Sequence, residues 1–457
     1  MHAEVCVVGG GPAGASIAAR LAALGHEVVL VERAAFPREH VGESLNPGVW
    51  PLLDVLGVGE VPRLRPTSRV RWGGVERVRA AGEGGATVDR GAFDALLLRH
   101  AAACGVDVRT STAMSPARSA DGWQLALREA AGGLRATFLV DASGRRRLLG
   151  GGRRRSSPRM LCLHARWRGA PADETLVEQR PDCWLWGAPL PDGTFRAMAF
   201  VDSGRLRERG IARAGMPAHY LSLLAGSQLM AALARAGAIA GRVGACDATC
   251  FVSRRVIDER SVRVGEAAFA IDPLSSSGVQ VAIQTALAAA TAVHTILASE
   301  REREREPAIE FYAEQVRHAA ARHGRLAAGF YAQGEGESAF WRAREGEPAP
   351  PARHPGRSAL ADLLAHPIRL SQETTVAATP CVVGDRVERR PALAHPALER
   401  PVVFLGGLEL VPLVVAASAA PTLRAAIDGW SAAGVAPPAA HAVARWLADH
   451  GVIERAG

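Results

Sequence analysis

The sequence predicts an α/β fold: a Rossmann-like dinucleotide-binding domain interleaved with a β-sheet domain, followed by a small C-terminal α+β, winged-helix-like unit. Three observations predict it. A glycine-rich turn joins a short apolar strand to a helix and a second strand within the first 32 residues. Further strand, turn and helix segments recur at 86–109, 138–150 and 261–297, with the aromatic stretch DCWLWGAPLPDG (182–193) between them. A segment rich in proline and charge, EGEPAPPARHPGR (345–357), reads as a linker or crossing loop before the last part of the chain.

With 457 residues, 48% of them apolar, the chain has room for two or three domains and a full core, which excludes a disordered tail. The net charge of +8 permits an anionic cofactor, an acidic partner or nucleic acid and does not choose among them. All 54 Lys+Arg residues are arginine, which excludes any mechanism needing a lysine amine. The seven cysteines (Cys6, Cys104, Cys162, Cys183, Cys246, Cys250, Cys381) have no CxxC spacing and read as free thiols in a reducing cytoplasm. Cys246 and Cys250 share CDATC without a second ligand pair, so no metal site is expected. No signal peptide precedes the first strand, and no apolar run reads as long and charge-free enough to span a bilayer. The expected location is the cytoplasm.

EVCVVGGGPAGASIAARLAALGHEVVLVER (4–33) is the most informative segment. Val5 to Gly9 reads as a strand, Ile17, Leu21 and Leu24 as the apolar face of a helix, and Val28 to Val31 as a second strand after the Gly25 stop. Gly9 makes the tight turn, Gly11 lets backbone approach a pyrophosphate, and Gly14 lets the helix pack close on the strand. The helix N-terminus then offers N–H groups and a favourable dipole to the anion. Glu32, followed by Arg33, can accept hydrogen bonds from a ribose diol, and its charge would repel a 2′-phosphate, which argues against an NADP pocket.

ATVDRGAFDALLLRHAAACGVDVR (86–109) reads as a short strand, a helix with Phe93, Leu96, Leu97 and Ala101 on one face, and another strand. FLVDASGRRRLLG (138–150) reads as a strand ending at Asp141 in a small-residue turn. Residues 261–297 give a strand, a Gly265–Glu266 turn, an Asp272–Pro273 step and the loop LSSSG, which opens a long alanine-rich helix. Such a loop exposes backbone N–H groups to an anionic or carbonyl-rich part of a cofactor.

In this order GGGPAG with Glu32, VDRGAFD, VDASGR and GEAAFAIDPLSSSGV resemble the FAD-dependent monooxygenases of the para-hydroxybenzoate hydroxylase fold, and within them the branch that holds the flavin-dependent halogenases. The resemblance spans 5–297, about two-thirds of the chain. It implies FAD, with Gly9, Gly11, Gly14, Glu32 and Arg33 on the ADP half, Ser44 and Arg90 as further contacts, and Glu266, Asp272, Pro273, Ser277 and Gly278 along pyrophosphate, ribityl chain and flavin ring. The family usually has Asp where Glu266 stands. No second GxGxxG is present for a nicotinamide, which is normal in this family, so the electron source is NAD(P)H directly or a partner reductase, with O2 as oxidant. The expected FAD domain is 1–70, 86–160 and 255–300, the substrate sheet 71–85 and 161–254, a helical and linker region 301–379, and the C-terminal domain 380–457.

EHVGESLNPG (39–48) resembles segments of these halogenases and of oxygenases that act on bulky or carrier-bound substrates. Gly42 can take positive φ and Pro47 stops what precedes it, so the segment is a shaped loop before a helix at about 48–56. Its polar side chains, His40, Glu43 and Ser44, have two readings. They cap the helix and bond their own loop, or His40 or Glu43 transfers a proton and is catalytic. Trp184, Trp186 and Pro189 match a halogenase WxWxxP pattern, yet alternating aromatics on a strand also describe sheet packing under a substrate pocket. Halogenases of this family place a lysine between flavin and substrate, and this chain has none.

The resemblance therefore implies an aromatic hydroxylase, in which reduced flavin and dioxygen give a C4a-hydroperoxide and the protein excludes water and places an indole or phenol. The oxygenases that hydroxylate a tryptophan within a protein to build a tryptophylquinone look similar, pairing a GESL-type core with an extra C-terminal unit. Alternatives are a tailoring hydroxylase of a small or carrier-bound aromatic, a halogenase, a reductase of the geranylgeranyl-reductase type, and a flavoprotein binding or assembly factor without turnover.

SEREREREP (299–307) alternates in sign and ends at proline, which reads as a solvated helix end, with a helix from Ile309 to about Tyr331 following. Beyond 380, strands around VERRPALAH and VVFLG and helices at 409–418, 421–430 and 437–450 form the winged-helix-like pattern. Its few basic residues are offset by Asp428, Asp449 and Glu454, which argues against a nucleic-acid partner and leaves a peptide or protein substrate, or plain packing.

Overall fold

Short runs of β-branched residues bounded by glycines form strands buried on both faces, the condition for a parallel sheet covered by helices. The computed structural model describes residues 2–456 except 84, 129, 171, 335–337 and 346–359. The linker expected at 345–357 lies, apart from Glu345, outside the described residues. Along the chain stand β1 (His2–Val8), α1 (Pro12–Ala23), β2 (Val28–Glu32), α2 (Arg90–Ala103), β3 (Asp107–Thr110) and β4 (Ala130–Asp141). β5 (Met160–Arg168), β6 (Cys183–Pro189), β7 (Phe195–Asp202) and β8 (Ala238–Asp247) follow, then β9 (Ser261–Arg263), α3 (Gly278–Ala298) and α4 (Glu302–Ala332).

The first sheet runs β3-β2-β1-β4-β9, each neighbour parallel to the next. That is the doubly wound order with its switch point between β1 and β4, where ligands bind beyond the carboxyl ends of strands. α1 packs on α3 and α2. The second sheet places β8-β5-β7-β6 beside Thr175–Arg180, Ser68–Trp72 and Val75–Arg79. Period-2 alternation divides its faces. Leu163, Ala165 and Trp167 of β5 pack with Tyr220, Leu224 and Leu233 of the helices over 216–236. Met160 and Cys162 pack on the other side with Trp184, Trp186, Met198 and Phe200.

Two readings are corrected. α3 is a run of 21 residues without a formal charge, long and apolar enough to cross a membrane, contrary to the expectation that no such run exists. Its Val279, Val281, Ile283, Ala286, Ala289, Val293 and Ile296 are buried, so the structure uses it as a core helix. α4 begins at Glu302 and runs through Pro307 instead of restarting after it. Pro307 sits in the second turn, where its missing N–H removes one helical bond, while Glu302 and Glu304 complement the dipole at the N-terminus.

The described residues form two compact units, 2–305 with 312–345 and 306–311 with 360–456. The second unit pairs Ile368–Leu370 with Ile453–Arg455 and contains a hairpin of β10 (Thr375–Val383) and β11 (Arg386–Ala394). β10 starts inside the 301–379 region read as helical and linker, five residues ahead of the boundary expected at 380. Its helices are α5 (Leu410–Ser418), α6 (Leu423–Ala432), capped by Thr422, and α7 (Pro437–Asp449). Leu410, Val414, Leu423, Ile427, Trp430, Val443 and Leu447 form its core.

Candidate active site

The β1–α1 turn is built for close approach. Gly9 has φ +110°, and a Cβ there would stand 2.3 Å from the Ala142 carbonyl oxygen. A Cβ on Gly14 would stand 1.8 Å from the Gly9 carbonyl oxygen, so both positions require glycine. No side chain caps α1 after Gly11, and its N-terminus stays available to an anion. Glu32, buried at the end of β2, accepts hydrogen bonds from the Gly10 N–H at 2.7 Å and the Ala34 N–H at 2.9 Å. Backbone thus orients the carboxylate, and lone pairs remain for a diol. Arg33 beside it is exposed. Arg38, which sequence reading missed, lies with Nη2 3.8 Å from the position of a Gly11 Cβ and its buried Nε unpartnered. It puts a cation beside the uncapped helix end.

The LSSSG loop makes a second such end. Asp272 caps the Pro273–Ser275 turn by accepting from the Leu274 N–H at 3.0 Å, Ser276 takes φ +49°, and α3 starts at Gly278 after Ser277 without a side-chain cap. Gly265, at φ +56°, has Ala13 of α1 within 2.8 Å of its would-be Cβ, which joins this stretch to the first. Glu266 is half exposed and paired with Arg145 at 3.1 Å. A glycine cradle, two uncapped helix N-termini and Arg38 fit the phosphates and carbonyl groups of FAD.

The 39–48 segment is fastened to both. Asn46 donates from Nδ2 to Ser277 Oγ (2.9 Å) and Gln280 Oε1 (2.7 Å), and accepts from the Gly48 N–H. A Cβ on Gly48 would lie 2.4 Å from Gln280. Ser44 pairs with Thr87 in a short two-stranded ladder. Arg90 binds Asp94 through Nε and Nη2 and donates from Nη1 to the Val41 and Gly42 carbonyls. One of its five N–H groups is left for a cofactor. Its visible work is to tie the segment to α2.

Glu43 is fully buried and accepts from Arg196 Nε at 2.7 Å and from the Gly42 N–H. Arg196, 1% exposed, also donates to Glu39 and to His164 Nδ1 at 3.4 Å. Burial and Arg196 lower His164 to about 4. Because a guanidinium only donates, the neutral ring carries its proton on Nε2. His40 is lowered to about 4 by burial and then by Arg90. Its Nδ1 lies 2.6 Å from the Val41 carbonyl, which only accepts, so this ring is protonated on Nδ1.

Trp184 and Trp186 are buried on the sheet face that also packs Val41 of the 39–48 segment and Leu274 of LSSSG. Trp184 stacks on Phe200 at 3.8 Å and donates from Nε1 to Tyr331 Oη at 3.2 Å. Tyr331 donates on to Asp272, 3.1 Å away. Burial raises the Asp272 carboxyl above its usual range, and burial with the Asp272 charge holds the Tyr331 phenol well above its own. The Asn-Pro step could have flagged Asn46 as a cap. Arg196 and Tyr331 carry no local signal, since they reach the site from distant elements.

A sequence model described as tryptophan halogenase matches residues 84–356, and one described as FAD binding domain matches 2–149. Tryptophan 2-halogenase of Chondromyces crocatus is 30% identical over 370 residues, 75% of this chain and 70% of that protein. Among solved structures, QhpG, a peptidyl tryptophan dihydroxylase essential for tryptophylquinone cofactor biogenesis, superposes with a TM-score of 0.79 at 27% identity, covering 99% of this chain and 100% of that one. The flavin-dependent halogenase CmlS shares the fold, with a TM-score of 0.78 at 23% identity over 99% and 96% of the two chains.

Proposed function

This chain belongs to the flavin-dependent tryptophan halogenase family, and we propose that within it the chain is a monooxygenase that hydroxylates an indole or phenol ring, with tryptophan in a peptide or protein as substrate. It is a FAD-dependent enzyme of the oxidoreductase type. The observation that carries the hydroxylase reading is the absence of lysine from all 457 residues, set against the amine that the family's halogenases place between flavin and substrate. The full-length likeness to a peptidyl tryptophan dihydroxylase supports the substrate class.

In this reading Gly9, Gly11, Gly14, Glu32 and Arg38 hold the ADP half, and Gly265 with Asp272–Gly278 lines the rest. Bound FAD, once reduced, supplies the activation of dioxygen. The chain's own residues do the positioning. The Trp184, Trp186, Met198 and Phe200 face, packed with Tyr331 and Trp341, is a dry apolar wall behind the 39–48 and LSSSG segments and excludes water there. The Glu43–Arg196 pair keeps its buried charges matched, and His164 presents a neutral Nε2–H donor at neutral pH. The second unit is the proposed site of polypeptide recognition.

Dioxygen consumption by the reduced holoenzyme tests this. A tryptophan-containing polypeptide is expected to accelerate it and to gain oxygen. Equal or greater stimulation by free indoles and phenols would sink the peptide assignment.

A further inference from the structure

Two cysteines that this chemistry does not use stand opposite each other on the aromatic sheet face. Cys162 of β5 and Cys246 of β8 are partners in the antiparallel register. Both pack in the cluster that holds Trp184, Trp186, Val41 and Leu274. Directly opposed residues on antiparallel strands have Cα atoms about 4.5 or 5.5 Å apart, inside the Cα separations of about 4.4–6.8 Å that a disulfide accepts, so the register places the two backbones at bonding distance.

Their surroundings divide the roles. Cys246 is partly exposed. The interaction with Cys162 lowers its thiol below the usual value and Arg145 helps, against burial and the charges of Glu266 and Asp247. Cys162 is buried, and Cys246 and burial hold its thiol well above the usual value, with Glu43 adding and Arg196 opposing. A thiol that is partly exposed, lowered and beside an arginine is the reactive kind, and one buried next to it is placed to resolve. The other buried cysteines, Cys6, Cys183 and Cys250, are pushed up to about 12 by burial. Cys381 faces Glu388 across its ladder, and Cys104 lies beside His100.

We propose that Cys246 and Cys162 are a peroxide-reactive dithiol next to the flavin site, with Cys246 as the attacking thiolate and Cys162 as the resolving thiol. Cys246 Sγ attacks the O–O bond of hydrogen peroxide, giving Cys246 sulfenic acid and hydroxide. Cys162 Sγ then displaces the sulfenic oxygen, forming the S–S bond and releasing water. Two thiols lose two electrons and two protons, and one peroxide becomes two waters. That a flavin turning over without substrate provides the peroxide rests on the function proposed above. The dithiol chemistry itself does not, so the test uses added hydrogen peroxide.

Holoenzyme is treated with one equivalent of hydrogen peroxide, alkylated, digested with trypsin and mapped by mass spectrometry. Cleavage after arginine leaves Cys162 in residues 160–166 and Cys246 together with Cys250 in residues 243–254, and fragmentation separates those two. The expected map is a Cys162–Cys246 link that dithiothreitol removes. Cys162→Ser is expected to stop at a sulfenic acid on Cys246 that dimedone captures, and Cys246→Ser to slow peroxide-driven thiol loss roughly tenfold or more. A link to Cys250 instead, or a Cys246 that remains alkylatable while other thiols oxidise, overturns the proposal. So does a Cys162→Ser protein whose Cys246 ignores dimedone. The FAD absorption band checks that each variant is folded, and the wild-type map stands without them.

Discussion

Glu43 is where the residue scale decides most. Its carboxylate and the Arg196 guanidinium are both sealed from solvent. Glu43→Gln leaves a buried arginine with only Glu39, mostly exposed, as a charged partner. Removing one member of a buried pair costs about 3 kcal/mol or more. Urea unfolding is expected to show a loss of that size, while the acid limb of the rate profile stays where it is. A shifted limb would instead make Glu43 a proton-transfer group. His40 gives a second prediction. Its folded value of about 4 lies below the ordinary 6.5, so between those pH values the unfolded chain binds the proton and the folded chain does not. Stability is therefore complete above about 6.5 and is lost as pH falls toward 4, by about 3 kcal/mol. His40→Asn is expected to flatten that slope in denaturation midpoints measured across pH, and an unchanged slope would contradict it. At this scale the tight turn at Gly9 and the close packing at Gly14 were legible because both are local and tied to spacing. The fate of Glu43 was not, because its partner lies 153 residues away.

At the scale of elements, the 39–48 segment is held by α2 through Arg90 and by α3 through Asn46. Asn46→Ala removes the bonds to Ser277 and Gln280 that join the segment to the helix start proposed to face the cofactor. Each hydrogen bond of this kind is worth about 1 kcal/mol, so with both lost FAD affinity is expected to fall by up to roughly thirtyfold in equilibrium titrations. An unchanged Kd would mean that the segment does not shape the site. Strands and helices with one clear period were readable in advance, as with β1, α1 and α2. Pro307 hid the true start of α4, because one missing bond in a long helix is tolerated where a breaker rule says stop. α3 was misjudged from its composition, since a core helix and a membrane span share the same apolar run and only the surrounding elements tell them apart.

For the whole molecule, motif order along the chain led to the fold, since the strands that carry those motifs are the ones the parallel sheet assembles. The aromatic face was legible as a stripe on one strand, but its company was not. Met198, Phe200 and Tyr331 join it from elements whose packing no local pattern states. The chemistry rests on the same combination of a family-wide scaffold and a missing side chain. Its most direct test supplies reduced holoenzyme with isotopically heavy dioxygen, chloride, bromide and a tryptophan-containing polypeptide, followed by mass spectrometry of the product. The prediction is a tryptophan bearing oxygen derived from dioxygen and no halogen. A product carrying the isotope pattern of chlorine or bromine would contradict it.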